Sequence, residues 1–407
     1  MSRKLPRLRA DLEFMPSPLN DRPGLLIRDS MGYSDTTLII PPLLVTCLRL
    51  FDGEATELDL RKELVELTGD LRVGDLGEHL LSSLSQAGFL EDEHYEALRS
   101  RRRREFAESS VRRASHAGSA YPEDSAQLQA FLADLVGEPE AGLRTDDLIG
   151  IAAPHVSYQG GRSCYRKAYG CLTARLKDRT FVVLGTSHYG QPDRFGLTMK
   201  PYQTPLGATT PAVELAQQLA ERAPGAVVME DYCHAVEHSI EFQVLLLQHI
   251  YGPDVKVLPI LCGTYGRSLW EGGLPEDDAE VAAFLSALKD LAAQGDRLFF
   301  VLGIDLAHMG ARYGDQFHAS AGSALMNEVA EQDRRYLERV AAGDADGFWE
   351  MMRLDRDRLK WCGASVLYTF MRIAPDARGR LLGYDQWNID QASVVSFAAL
   401  AFESAAA

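Results

Sequence analysis

The sequence predicts an α/β fold: a central sheet flanked by helices, preceded by a small winged-helix-like α+β domain. After residue 145, apolar strands alternate with helical stretches, as in a sheet covered by helices. These strands are nearly continuous apolar runs, which fits burial on both faces. Before residue 100, apolar residues recur every three or four positions, as amphipathic helices require. We therefore expect two different structural units.

The first unit, residues 1–98, is predicted to contain one short strand and three helices. The strand is expected at 24–30, and the helices are expected at 41–53, 57–69 and 73–90. This arrangement suggests a winged-helix-like domain. Many winged helices bind DNA, but residues 1–100 carry 18 acidic and 11 basic side chains. Nucleic acid is therefore not an expected partner.

An Arg-rich segment, 99–113, separates this unit from the next and contains the cluster Arg101–Arg104. We interpret it as a solvated linker helix. A patch for phosphate or for an acidic partner is the alternative. The segment 114–407 then forms the larger domain, with strands predicted at 147–154, 179–187, 255–263, 297–305, 378–386 and 392–404, and helices at 161–176, 211–223 and 278–294.

Length and composition restrict the function classes. At 407 residues, the chain is long enough for more than one domain. Its net charge of −16 disfavours an anionic membrane as a partner. Its apolar runs are shorter than the ~20 residues of a membrane span, and its start lacks the apolar region of a secretory signal. We therefore expect a cytoplasmic protein. The six cysteines include no CxxC pair, which argues against a disulfide framework or a zinc ribbon.

Polar residues follow three of the predicted strands. His155 follows the first, His188 follows the second, and Asp305 with His308 ends the fourth. In open α/β sheets, ligands bind beyond the carboxyl ends of the strands. Imidazole nitrogens are good ligands for zinc, iron, copper and nickel. The sequence therefore predicts a metal site here, although a single histidine such as His155 can also be a structural core residue.

Two further segments contain candidate site residues. Cys362 precedes an apolar helix, and a thiolate is favoured at a helix N-terminus; a buried inert cysteine is the alternative. His234 and His238 are four residues apart and could bind a metal together if both lay on one helix. If Ser239 is instead the helix N-cap, His234 lies in the preceding loop. We favour this second reading, with His238 and Glu241 facing the cleft as acid/base or supporting groups.

A hydrolase interpretation is weaker. The segment 185–190, GTSHYG, resembles a nucleophile elbow, but Tyr189 stands where the second glycine is required. We therefore discount Ser187 as a nucleophile.

The motifs resemble those of the Memo family, known in bacteria as AmmeMemoRadiSam system protein B. The resemblance covers about residues 112–404 and rests on seven motifs in the family's order: ASHAGSAYP (114–122), APHVSYQGG (153–161), GTSHYG (185–190), PYQTPLG (201–207), EHSIEFQ (237–243), GIDLAHMGARYG (303–314) and WCGAS (361–365). The family is similar in fold to the LigB-type class III extradiol dioxygenases, which bind non-haem Fe(II).

The resemblance implies roles for individual residues. His155 and His188 take the places of the two histidine ligands, and Cys362 takes the third. His308 would be the acid/base histidine, with Asp305 orienting it or approaching the metal. Iron (Fe²⁺) is the first expectation and copper the second, with a small molecule or peptide as substrate and a radical-SAM protein as partner.

The resemblance leaves the reaction open. Dioxygenases of this type use a carboxylate where this chain has Cys362, and a thiolate is softer and can be oxidised. A dioxygenase-like oxidoreductase is our first expectation. A peptide-binding module with a vestigial cleft and a metal chaperone are the alternatives.

The first unit resembles the PqqD-like peptide-recognition domains. The similar phrases are IRDS, LFDG and AGFLED. This resemblance implies that the unit grips a peptide by adding a strand to a sheet edge. A purely structural appendage is the alternative.

Overall fold

The computed structural model describes residues 3–17, 19, 21–138, 147–293 and 297–404. The chain divides into two compact units, Met1–Ser109 and Ser110–Ala407. The boundary falls inside the segment that we predicted as a linker. The Arg-rich cluster belongs to a helix of the first unit, whose N-cap residue Asp92 accepts a hydrogen bond from the backbone N–H of Tyr95.

The first unit combines a small antiparallel sheet, in the order β1-β2-β3, with four helices among its described residues. Its elements are β1 (Leu12–Pro16), β2 (Leu25–Asp29), β3 (Thr37–Ile40), α1 (Pro42–Val45), α2 (Glu57–Thr68), α3 (Gly74–Gln86) and α4 (Glu93–Glu108). The predicted strand and the two later helices are confirmed. The single helix predicted at 41–53 is wrong, because α1 tightens after one turn into a 3₁₀ helix, Thr46–Leu50. The winged-helix comparison stays a prediction.

The second unit is a large mixed α/β structure. Its strands are β4 (Arg112–Arg113), β5 (Leu148–Ala153), β6 (Thr180–Thr186), β7 (Phe195–Leu197), β8 (Tyr202–Thr204), β9 (Gly207–Ala208), β10 (Thr210–Pro211), β11 (Val227–Met229), β12 (Lys256–Cys262), β13 (Leu298–Gly303), β14 (His308–Gly310), β15 (Ala377–Asn388) and β16 (Ser393–Ser404). Its helices are α5 (Ser125–Val136), α6 (Arg162–Gly170), α7 (Val213–Arg222), α8 (Cys233–Val236), α9 (His238–Tyr251), α10 (Gly266–Glu271), α11 (Ala279–Ala292), α12 (Ala324–Ala342), α13 (Ala345–Asp355) and α14 (Ala364–Ile373). The last residue of the helix predicted at 278–294, Gln294, lies outside the described residues.

The predicted central sheet is confirmed. Its main path runs β11-β7-β12-β6-β13-β5-β16-β14, and the four strands β12, β6, β13 and β5 are parallel neighbours. Every residue of β6 and β13 is buried, as expected for strands covered on both faces. The long strand β16 is antiparallel to β5 and pairs with β15 on its other side. The carboxyl ends of β5, β6 and β13 therefore meet at one edge.

Across the described residues, no helix combines the length and the apolar character that a membrane crossing requires.

Candidate metal centre

The strand register brings the predicted site residues together. Gly303, at the end of β13, lies between Ala153 of β5 and Gly185 of β6. His155 and Asp305 each follow two residues beyond these paired positions, and His188 follows three residues beyond. The parallel arrangement thus fixes all three side chains at one edge of the sheet, as the sequence predicted.

Two glycines at this edge allow α9 to approach the sheet closely. A Cβ atom built on Gly185 would lie 2.6 Å from Ser239 Oγ, well inside van der Waals contact. A Cβ atom on Gly303 would overlap the carbonyl oxygen of Ser239 and lie 3.2 Å from Gln243 Nε2. The first turn of α9 therefore rests directly over the strand ends, which places Glu237 and His238 beside His155 and His188.

Three imidazoles form the centre. One nitrogen each of His155, His188 and His238 lies within 4.8 Å of the other two, close enough for one ion. The rings of His188 and His238 are stacked with centroids 5.1 Å apart, and the ring of His155 is nearly perpendicular to both. His155 is buried, while the side chains of His188 and His238 are about 26% and 28% exposed. The cluster is therefore reachable from solvent on one side.

Hydrogen bonds show which ring nitrogen of each histidine carries the proton. His155 Nδ1 lies 3.1 Å from the carbonyl oxygen of Gly303, and the Nδ1 atoms of His188 and His238 lie 3.0 and 3.2 Å from Glu237 Oε1. Since these oxygens only accept, each Nδ1 donates. The Nε2 lone pairs are then left for a metal, the usual arrangement of metal-binding histidines.

Glu237 organises the centre, although its role was not among the sequence predictions. Its buried carboxylate also accepts the backbone N–H groups of His188, His238 and Ser239, and it caps α9. Burial alone would raise its pKa, but His188 and the hydrogen bonds hold the pKa of Glu237 well below its ordinary value. The prediction of Ser239 as the helix N-cap is therefore wrong: α9 begins at His238 and is capped by Glu237, and His234 lies in the short helix α8.

Cys362 lies next to His155, and its role as the third metal ligand stays a prediction. Its Sγ atom is 3.2 Å from His155 Nε2 and 3.6 Å from the carbonyl oxygen of Asp305. The backbone is held by Thr186 Oγ1, which donates to the carbonyl oxygen of Cys362 at 3.0 Å, and by Gly363, whose N–H donates to Asp305. Cys362 therefore lies beside His155, next to the group formed by His155, His188 and His238.

Asp305 and His308 occupy different environments. Asp305 Oδ1 accepts the N–H of His155 at 3.1 Å, and Oδ2 lies 3.5 Å from His155 Nε2. Burial raises the pKa of Asp305 to about 7. His308 Nδ1 instead donates to the carbonyl oxygens of Leu306 and Lys360, and burial lowers the pKa of His308 to about 4. Asp305 thus approaches the candidate metal ligand His155, while backbone groups orient His308, which is neutral at pH 7.

Glu241 has a different environment from the one we expected. It is buried in an ion pair with Arg112 and accepts hydrogen bonds from Ser115, His116 and Tyr121. A buried arginine requires such a partner, so Glu241 holds the segment 112–121 against α9. Acid/base chemistry in the cleft does not fit a carboxylate that is already fully engaged.

Two alternative sites do not form. His234 Nδ1 hydrogen-bonds with the hydroxyl of Tyr202 at 2.7 Å, and Nε2 lies 3.0 Å from the carbonyl oxygen of Gly196. Both nitrogens are thus engaged, and a clip formed by His234 and His238 is excluded. Ser187 Oγ is buried and has no hydrogen-bond partner among the described residues, so no base activates it as a nucleophile.

The fold and the site together define an α/β protein with a histidine-rich candidate metal centre at the carboxyl edge of a largely parallel sheet. The chain belongs to the Memo family, as its motifs predicted: the family model described as "Memo-like protein" matches residues 112–401. Similar proteins include a MEMO1 family protein of Aquifex aeolicus, 25% identical over 95% of this chain and 97% of that protein.

Archaeal relatives are similar over a smaller part of this chain. A MEMO1 family protein of Pyrococcus furiosus is 28% identical over 67% of this chain and 91% of its own length. One of Thermococcus kodakarensis is 27% identical over 72% of this chain and 99% of its own length. The Aquifex protein thus matches nearly the full length of this chain, whereas the archaeal proteins match two thirds to three quarters of it.

Proposed function

We propose that the chain is a cytoplasmic Memo-type metalloprotein that binds one redox-active metal, iron first and copper second, and that it acts as an O₂-dependent oxidoreductase on a small molecule or peptide. The observation that carries this proposal is the convergence of three histidine nitrogens and the Cys362 thiol at the carboxyl edge of the sheet. A radical-SAM protein is proposed as a partner on the family resemblance alone.

The donor chemistry supports a transition metal. Imidazole suits iron, copper and zinc, and a thiolate adds a soft anionic ligand. Carboxylates and carbonyls would be needed for magnesium or calcium. A bound redox metal would supply electron transfer and Lewis-acid chemistry.

The chain's own groups orient the ligands and bind substrate. Glu237 fixes the rings of His188 and His238, and the Gly303 carbonyl fixes His155. Neutral His308 donates from Nδ1 to two backbone carbonyls, so its Nε2 is the nitrogen that can accept a proton from a substrate. Substrate can approach from the side where His188 and His238 are partly exposed.

Metal reconstitution under anaerobic conditions tests the proposal. Fe(II), copper and the redox-inactive Zn²⁺ are loaded separately, and O₂ consumption is followed with catechol-like and peptide candidates. The proposal predicts O₂ consumption with iron or copper that is absent with zinc and in the His188→Ala variant. O₂ consumption independent of the metal and of His188 would refute it.

A peptide-binding module is the second candidate function. The first unit contains a cavity of about 580 Å³, lined by residues that include Leu60 of α2, Val73 immediately before α3, and Leu81 of α3. Leu58, at its edge, is 65% exposed. Tight peptide binding with no turnover in any metal state would favour this function over the oxidoreductase.

A further inference from the structure

His116 lies beside the candidate metal centre but is not one of its three histidines. Its ring centroid is 5.7 Å from that of His238 and 5.7 Å from that of Phe242. Its side chain is about 26% exposed. The backbone N–H of His116 donates to Glu241 Oε1 at 3.0 Å, so the residue is held firmly at the border of the centre.

The hydrogen bonds of Ser115 determine where His116 carries its proton. Ser115 Oγ lies 2.9 Å from Glu241 Oε2 and 2.8 Å from His116 Nδ1. Burial would raise the pKa of Glu241, but the charge of Arg112 holds it well below the ordinary value. The carboxylate is therefore ionised, and two oxygens 2.9 Å apart need a proton between them.

The hydroxyl proton of Ser115 must supply that contact, because an ionised carboxylate only accepts. Arg112 Nη2 donates to the same hydroxyl oxygen at 3.1 Å. The remaining lone pair of Ser115 Oγ can only accept from His116 Nδ1. The hydrogen-bond network of Arg112, Glu241 and Ser115 thus fixes the Nδ1–H tautomer of His116, and Nε2 is left as an acceptor.

We infer that His116 Nε2 is a substrate-contacting acceptor that selects ligands carrying an O–H or N–H donor next to the atom bound by the metal. The inference rests on the proposed metal function. The site would then favour anionic chelators such as α-hydroxy acids or compounds with adjacent hydroxyl groups over their alkylated analogues. Glu241 acts as a positioning residue through Ser115, which explains why a carboxylate so close to the centre is buried in an ion pair.

A matched pair of ligands tests this selectivity. Glycolate and methoxyacetate have the same charge and the same two chelating oxygens, but only glycolate has an O–H donor. Protein loaded with Co²⁺, a spectroscopic substitute for Fe²⁺, is titrated with each ligand, and the change in the cobalt absorption gives the two dissociation constants. The wild-type protein is expected to prefer glycolate more strongly than the His116→Leu variant by about 3- to 10-fold, the effect of one hydrogen bond.

The His116→Gln variant is the conservative control, because its side-chain oxygen can accept a hydrogen bond. It should retain part of the preference, and it provides a second reading if His116→Leu does not fold. An equal preference in the wild-type protein and in every folded variant would overturn the inference while leaving metal binding intact. Failure of the wild-type protein to bind Co²⁺, measured first, would instead refute the proposed metal function.

Discussion

Among single residues, Glu237 is expected to have the clearest effect on the candidate metal site. Glutamine at this position has no negative charge, and its N–H₂ group would replace Glu237 Oε2, which accepts the backbone N–H of His188 at 3.0 Å. We expect Glu237→Gln to weaken metal affinity by about 10- to 100-fold. Competition with a chromophoric chelator measures this loss. The exposed Glu221→Gln on α7 is the control, and equal affinities for the two variants would contradict the role of Glu237.

Cys362 can be tested separately from the histidines. Since its Sγ contacts His155 but the three-histidine group forms without it, Cys362→Ser should still bind Co²⁺, with weaker affinity. The wild-type Co²⁺ protein should have a thiolate-to-metal charge-transfer band that the variant lacks. The absence of this band from the wild-type protein would show that Cys362 is not a ligand.

The buried carboxyl group of Asp333 should make the stability of the protein depend on pH. Burial raises its pKa to about 6, against the hydrogen bonds donated by Ser396, Tyr384 and Trp361. The folded state therefore binds this proton more tightly than the unfolded state, in which the pKa is about 4. The contribution of the protonated Asp333 carboxyl to the free energy of unfolding is fully present below pH 4 and is lost as the pH rises through 6.

The Asp333→Asn variant should lack this dependence. Urea unfolding measures the free energy of unfolding of both proteins between pH 4 and 7. The difference between wild type and variant should change by about 1–3 kcal/mol across that range. The exposed Asp254→Asn is the control. A difference that does not vary with pH would contradict the assignment.

Sequence alone located residues that follow strands or lie in recognisable motifs, such as His155, His188 and Cys362. It did not assign Glu237 or Arg112, because their roles depend on partners brought near by the fold. Arg112 was placed in a solvated linker, yet it is buried against Glu241. The burial of a charged side chain can be predicted only when its partner is known. The partner of Arg112 is 129 positions away in the sequence.

Among the secondary-structure elements, the close approach of α9 to the strand ends determines where the candidate metal ligands lie. Alanine at Gly303 would place a methyl group against the Ser239 carbonyl oxygen, so the first turn of α9 must move. We expect Gly303→Ala to lower metal affinity by at least about tenfold, since small displacements of ligands are costly. Gly74→Ala is the control, because a Cβ atom there meets nothing within 4 Å. Unchanged affinity in a folded Gly303→Ala protein would contradict this account.

The strands were the easiest elements to predict. β6, β12 and β13 are buried almost throughout, so their apolar runs are unambiguous. The short strands β1 and β3 were missed, because half-buried segments of four or five residues have little periodic signal. The strand order could not be predicted from the sequence either, because it depends on pairings between distant segments.

For the whole molecule, the division into two units predicts that the second can fold alone. A fragment of residues 110–407 should bind metal as the full chain does. A fragment of residues 114–407 lacks Arg112 and leaves Glu241 buried without its cation, which should cost about 3–5 kcal/mol. Urea denaturation compares the two. Equal stability would show that the ion pair is dispensable, and in the full chain the exposed Arg113→Ala provides a control for Arg112→Ala.

Metal content of anaerobically purified protein tests the central claim most directly. Elemental analysis after loading with Fe(II) should give one iron per chain for the wild-type protein. The His155→Ala/His188→Ala double variant should have none, while its circular dichroism stays that of a folded protein. One iron per chain in the folded double variant would contradict the proposed centre.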